Sequence, residues 1–188
     1  MTGSVIQLAM NFGYPGSYSR MPDDIVMAKP VNSKSDDIPF GSAVILNSDN
    51  TYKVADATLT ADNFAGIAVR EVKQGLMYST AGVIDEQGVY QAYDPCDVLL
   101  RGCTVIKMGA GKTGAGKTGA AAPTAGGKVA VRIALDSTNA PNALVGDFEV
   151  APDSTDAKLV TLPNVVFTTG EKDANGVIEV TVKTRNNN

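Results

Sequence analysis

The sequence predicts an all-β protein, an antiparallel barrel or sandwich with an extended amino-terminal arm and little helix. Three observations carry this expectation. About ten short runs rich in Val, Ile, Thr and aromatic residues are separated by Gly, Pro, Asn and Asp turns. No stretch keeps the 3.6-residue apolar repeat of an amphipathic helix. Of the 188 residues 44% are hydrophobic but only 6% aromatic, with no tryptophan. Val, Ile and Ala must therefore fill the core, a mix that suits thin β-layers.

Residues 1–23 read as the arm. Gly13, Pro15, Gly16 and Pro22 forbid a regular helix beyond Met10. Two readings stand for it: an arm packed on its own domain, or one that orders against a neighbouring subunit. In the second, Phe12, Tyr14, Pro15, Tyr18 and Arg20 are the candidate interface residues, with Tyr and Arg as anchors.

Residues 24–188 form the β-rich domain. Ile25 to Ala28 is a short apolar run, and Ala43–Leu46 and Tyr52–Val54 flank the turn residues Ser48, Asp49 and Asn50, a hairpin. Phe64 to Val72 predicts a half-buried strand, with Ile67 and Val69 on one face, Ala68 and Arg70 on the other, and a bulge at Gly66. Val83 to Tyr93 predicts a second hairpin around Glu86, Gln87 and Gly88. Val98 to Met108 is a long strand interrupted at Gly102. In Lys128 to Leu135, Val129, Val131 and Ile133 alternate with Lys128, Ala130 and Arg132, which predicts one wet face. Phe148–Val150, Lys158–Leu162 and Asn164–Thr168 read as separate short strands. The last strand, Val177 to Lys183, alternates Ile178, Val180 and Val182 with Glu179, Thr181 and Lys183, and a polar, frayed tail follows. Residues 136–147 are a possible boundary between a barrel and a C-terminal strand set.

Residues 109–127, GAGKTGAGKTGAAAPTAGG, are a Gly/Ala-rich loop containing G-x-x-x-x-G-K-T from Gly111 to Thr118. A P-loop needs a helix after this motif to hold phosphates at its amino terminus. Here Pro123, Gly126 and Gly127 oppose one, and a strand pattern resumes at Val129. The motif is also assembled from a tandem GAGKT repeat. The expectation is a flexible loop, not a nucleotide site.

Other chemistry is scarce. The chain has no histidine, which removes the commonest general base and zinc ligand. Cys96 and Cys103 match neither a redox nor a metal spacing and read as reduced, with a disulfide between them as the minor alternative. The carboxylate pairs at 23–24, 36–37 and 85–86 read as solvated turns. Neither a metal nor a cofactor is implied. The net charge of -4 and pI near 4.8 argue against nucleic acid as a partner. No apolar run reaches membrane-spanning length and no secretory leader is visible, so synthesis in the cytoplasm is the default.

One ordered series of residues is informative as a whole: Gly13-Tyr-Pro-Gly-Ser-Tyr-Ser-Arg20, Asp24 to Ala28, Ile38-Pro-Phe-Gly41, Phe64-Ala-Gly-Ile67, the Tyr93-Asp-Pro95 turn before Val98 to Gly102, and Val165 to Thr169. It resembles the structural cement, or capsid decoration, proteins of tailed bacteriophages. The resemblance implies a non-enzymatic virion protein on the outer capsid surface, made in the cytoplasm of a bacterial host. Its partner would be the major capsid protein, and a homo-oligomer, trimeric by preference, is implied. Another phage structural component, such as a head-fibre base or a tail protein, is the alternative reading, with a P-loop nucleotide-binding protein behind it.

Overall fold

The computed structural model describes residues 12–70, 77–78, 84–85, 88–109, 122–138, 140–152 and 156–183. Thirteen strands and no helix are found among them: β1 (Tyr18–Pro30), β2 (Ile38–Pro39), β3 (Ala43–Leu46), β4 (Tyr52–Val54), β5 (Phe64–Ala68), β6 (Met77–Tyr78), β7 (Ile84–Asp85), β8 (Val89–Tyr90), β9 (Pro95–Lys107), β10 (Lys128–Arg132), β11 (Phe148–Val150), β12 (Leu159–Phe167) and β13 (Val177–Val182). The fold is all-β and antiparallel, as the alternating patterns predict.

Nine strands make one curled sheet in the order β11-β10-β12-β13-β9-β5-β3-β4, with β1 also paired to β9. β9 is the hub. Its first half pairs with β5 (Ile67 opposite Leu99), its second half with β13 (Thr181 opposite Cys103), and β1 pairs with both halves. A parallel bridge from Met108 to Phe148 ties β11 back to the end of β9, so this half of the sheet closes on itself. Rolling the sheet in this way gives it two cores. The larger contains Ile45, Ile67, Leu99, Ile106, Val131, Phe148, Phe167, Ile178 and Val180. The smaller, on the other side of β3, β5 and β9, holds Ile38, Phe40, Val44, Tyr52, Ala68, Tyr90 and Val98.

Two glycines make the layering possible. A Cβ on Gly66 would lie 2.1 Å from the Leu99 carbonyl oxygen, so only glycine lets β5 pass β9 this closely. The register also slips beside Gly66, between Val44 and Ile45, as the expected bulge requires. Gly102 has φ 128°, and a Cβ there would collide with the Asp24 carboxylate. Residues 21–24 are accommodated at this point, where the β1–β9 register shifts between Arg20 and Ile25.

Several expectations are corrected. β5 is buried on both faces, not half-buried, because the smaller core covers Ala65 and Ala68. The hairpin expected over Val83–Tyr93 does not form: β7 pairs with β6, and β8 pairs with β2. The Phe40 ring occupies the space beside Gly88, and the Tyr90 hydroxyl donates to the Val69 carbonyl at 2.6 Å, which draws this segment into the core. The strands expected at 158–162 and 164–168 are one, β12, running through Pro163. A register shift against β10 lies there, with Lys128 opposite Val166 but Val129 opposite Leu162, so the missing proline N–H interrupts no ladder. The wet face expected on β10 holds only at Lys128, which is exposed; Ala130 and Arg132 are fully buried. Glu179 on β13 is buried as well. The loop centre, residues 110–121, lies outside the described residues. Beyond it Gly127 N–H donates to the Thr124 carbonyl at 2.8 Å in a turn, and Lys128 opens a strand where a P-loop would need a helix.

Candidate functional site

The candidate residues lie where the chain first joins the sheet. β1 starts at Tyr18, so the division expected at residue 23 falls inside a strand. Upstream of it the backbone is stitched to the domain. Gly16 N–H donates to the Val105 carbonyl at 2.8 Å, Val105 N–H returns to the Ser17 carbonyl at 3.1 Å, and Arg70 N–H donates to the Gly16 carbonyl at 3.0 Å. Gly16, φ 78°, and Gly41, φ 79°, meet back to back, with Pro15 against Gly41. Side chains at either glycine would collide with the opposing backbone, which explains the second glycine of the G-Y-P-G motif.

Each candidate has its own place. Phe12 is half-buried, and its N–H donates to Asp173 Oδ2 at 3.3 Å in the loop before β13. Tyr14 is 64% exposed, and the Arg70 guanidinium lies 5.6 Å from its ring centre. The same guanidinium lies 5.3 Å from the Phe40 ring, and Phe40 meets Tyr90 edge-on at 5.1 Å. Tyr14 thus ends a column of stacked groups rooted in the smaller core. Tyr18 is half-buried and packs against the larger core. Arg20 makes a two-pronged contact with Glu179, Nε to Oε1 at 2.7 Å and Nη2 to Oε2 at 3.2 Å. The Glu179 hydrogen bonds, and then its charge, push the Arg20 guanidinium further up, which keeps it cationic. The Arg20 side chain is largely exposed above a buried Glu179.

The five residues therefore do not make one cluster. Tyr14 and Arg20 reach solvent from fixed bases, while Pro15 and Tyr18 fasten the segment to its own domain. Sequence reasoning missed the groups that position them: Arg70, Phe40, Asp173 and Glu179. Arg70 was placed on the correct segment, but nothing in a single strand pattern shows that a residue 56 positions upstream stacks on it.

Chemistry of other kinds finds little support here. No group of three or more metal-ligating side chains occurs among the described residues. A surface cleft of about 390 Å³ is lined by Asn32, Lys34, Asp36, Asp49 and Asp56 from polar loops and by Lys53 from β4. Its carboxylates serve local bonds: Asp49 accepts from Thr51, and Asp56 accepts from Thr58 and Lys53. Both cysteines are free. Burial, then the neighbouring Asp97 charge, pushes the Cys96 thiol far up, so it is inert as a nucleophile.

The model of the structural cement protein family (E217 gp24/Pam3 gp6) matches residues 2–183. The chain belongs to that family. This cement protein is a structural component of the virion, with a capsid decoration role and an association with the capsid lattice. Its fold is similar to that of a chain from the solved capsid of Myoviridae phage XM1. The TM-score is 0.60 at 23% identity, over 96% of this chain and 95% of that one. No curated protein matches the sequence.

Proposed function

We propose that this cement protein binds the outer surface of the assembled head and braces neighbouring major capsid subunits, as a homo-oligomer that is by preference a trimer. The observation that carries the reading is the fastened segment 12–20, which holds Tyr14 and Arg20 outward on fixed bases. Tyrosine and arginine on pre-ordered supports are the residue types that dominate protein interfaces, because little entropy is lost when they engage. In this reading Tyr14 and Arg20 contact the capsid or an adjacent protomer, and Phe12, Pro15 and Tyr18 set their positions. The mechanism is mass action: a ligand that binds only the assembled lattice stabilises it by RT ln(1 + [L]/Kd) at every site. No catalytic role is assigned, and the net charge of -4 offers no basic stripe for nucleic acid.

The test uses heads assembled without this protein, incubated with wild type, Tyr14→Ala and Arg20→Ala. Occupancy is read from the protein ratio of purified particles and from cryo-EM density. The expected result is density on the outer head surface and reduced occupancy for both variants at limiting protein. Density confined to the tail, or full occupancy by both variants at limiting protein, would refute the reading.

A further inference from the structure

The nine-strand sheet ends at β4 and β11, and the outer edge of each is covered by the chain itself. On β4, Asn32 N–H donates to the Tyr52 carbonyl at 2.8 Å and Val54 N–H donates to Ser35 Oγ at 3.2 Å. On β11, Gly109 N–H donates to the Phe148 carbonyl at 2.9 Å. The second half of β1 differs. Ile25 to Pro30 pair with β9 on one side and with no strand on the other among the described residues. Strand alternation fixes which groups face outward. Val69 N–H donates to the Asp97 carbonyl at 2.9 Å, so Asp97 and Leu99 turn toward β5 while Cys96 and Val98 turn toward β1. Their partners Lys29 and Met27 carry the ladder bonds. The N–H and C=O groups of Val26 and Ala28 therefore point away from the sheet.

The side chains along this edge do not guard it. Strands that stay unpaired carry charge or a bulge along their length. Here Ile25 is 50% exposed and Met27 39%, and Ala28 is exposed beside them. The charges stand at the two ends. Asp23 is exposed at the start, beside the equally exposed Arg101, and Lys29 lies near the finish. Lys29 reaches the Asn50 amide but no carboxylate among the described residues.

We infer that this edge is a contact between two copies of the chain, their β1 strands pairing antiparallel about a two-fold axis at Met27. In that register Val26 bonds with the second copy's Ala28 and Ala28 with the second copy's Val26, so every outward N–H and C=O of these residues finds a partner. Met27 faces its own counterpart, and Lys29 lies diagonal to the second copy's Asp23. A strand that is acidic at its start, apolar in its middle and cationic at its end complements itself once reversed, and a two-fold axis makes that reversal. Pro30, which has no N–H to offer, closes the ladder at one end, and the register shift between Arg20 and Ile25 closes it at the other.

The inference rests on the reading of the chain as head-bound. One short strand pair buries far less than the roughly 1,200 Å² of a stable interface, so free chains pair weakly. Copies held on a lattice meet at high effective concentration, where a weak contact suffices. A two-fold contact closes on two copies, so in the trimer reading it joins one trimer to the next.

The experiment places single cysteines at the edge in a Cys103→Ser background, where the introduced thiol is the only accessible one because Cys96 is buried. Heads assembled without cement protein are loaded with Met27→Cys or Ile25→Cys and treated with oxidised glutathione, which takes up the two electrons as the two thiols join. Facing Met27 positions would have Cα atoms about 4.5 Å apart, within disulfide reach, whereas two Ile25 positions would lie about 13 Å apart. Met27→Cys should therefore give cement-protein dimers on a non-reducing gel and Ile25→Cys almost none. Adding Ala28→Pro removes an outward N–H that the sheet does not use, so it should leave the melting temperature near that of wild type yet cut the dimer yield at least about tenfold. Bound Met27→Cys that gives no dimer would overturn the inference, as would equal yields from the two positions or a yield that survives Ala28→Pro. A mixed disulfide with the capsid protein would assign the edge to that partner, and a lowered melting temperature for Ala28→Pro would show that the edge serves the chain's own fold; either result also overturns it. If wild type itself fails to bind heads, the capsid reading falls first and takes this inference with it.

Discussion

Removing the Glu149 carboxylate should cost this fold more than almost any surface change. Arg132 on β10 is fully buried, and it is held by Glu149 on β11 through paired bonds, Nη2 to Oε2 at 2.9 Å and Nε to Oε1. The carboxylate's hydrogen bonds push the guanidinium further up, so it stays charged at every pH at which the protein folds. Glu149→Ala leaves that charge buried without its partner, a loss of about 3–5 kcal/mol. For a chain of this size each kcal/mol lowers the melting temperature by about 2–4 °C, so a fall of about 6–20 °C is expected. Replacing both partners, Arg132→Met with Glu149→Leu, removes the desolvated charge together with its counter-ion and should restore stability to within about 1 kcal/mol of wild type. Urea denaturation of wild type, Arg132→Met, Glu149→Leu and the doubly substituted chain, a double-mutant cycle, gives the coupling energy. A loss below about 1 kcal/mol for Glu149→Ala would refute the account, because it would mean that Arg132 finds water or another acceptor at little cost.

Three further outcomes follow from the packing and burial described above. Gly66→Ala should give insoluble protein or lose several kcal/mol, on the order of a cavity or strain mutant, because its Cβ has no room beside the Leu99 carbonyl; a soluble variant with wild-type melting would be contrary. Burial holds the Asp147 carboxyl above its ordinary value, so the folded chain takes up a proton more readily than the unfolded one and this residue's contribution rises as pH falls toward the ordinary carboxylate range. Asp147→Asn should then be more stable than wild type at pH 7, with the gap closing under acid; a gap that is constant with pH would contradict this. In a thiol titration of native protein at pH 8 Cys96 should remain silent, and it should react once the chain is denatured, with no disulfide detected by mass.

Much of the sheet was legible because period-2 alternation and turn residues act locally. The β3–β4 hairpin follows from Ser48, Asp49 and Asn50, the last with a left-handed φ of 67°. The bulge at Gly66 and the break at Gly102 were likewise readable from glycine inside a strand pattern. What alternation cannot show is whether the second face of a strand will be covered. Arg132 and Glu179 sit at polar positions of their repeats, yet partners from β11 and β1 close over them. The expected hairpin at Glu86–Gly88 failed for a related reason: a turn sequence competes with tertiary demand, and Tyr90 satisfies the smaller core. At the candidate site, the G-Y-P-G motif located the segment, but Arg70, Asp173 and Glu179 lie 56 to 161 positions from the residues they hold.

The stitching of the amino-terminal segment also sets when this protein can fold. Phe12 is bonded to Asp173 and Arg20 to Glu179, at separations of 161 and 159 residues, and the second half of β9, which β1 also pairs with, finds its other partner only in β13. A chain leaving the ribosome cannot complete the larger core until its last strand has emerged, so synthesis and folding are separated for nearly the whole length. Such non-local topologies fold slowly, over milliseconds to seconds, and expose unpaired strand edges while they wait. Truncation of either end would therefore strike the same final step of assembly, although the two ends are the most distant parts of the sequence.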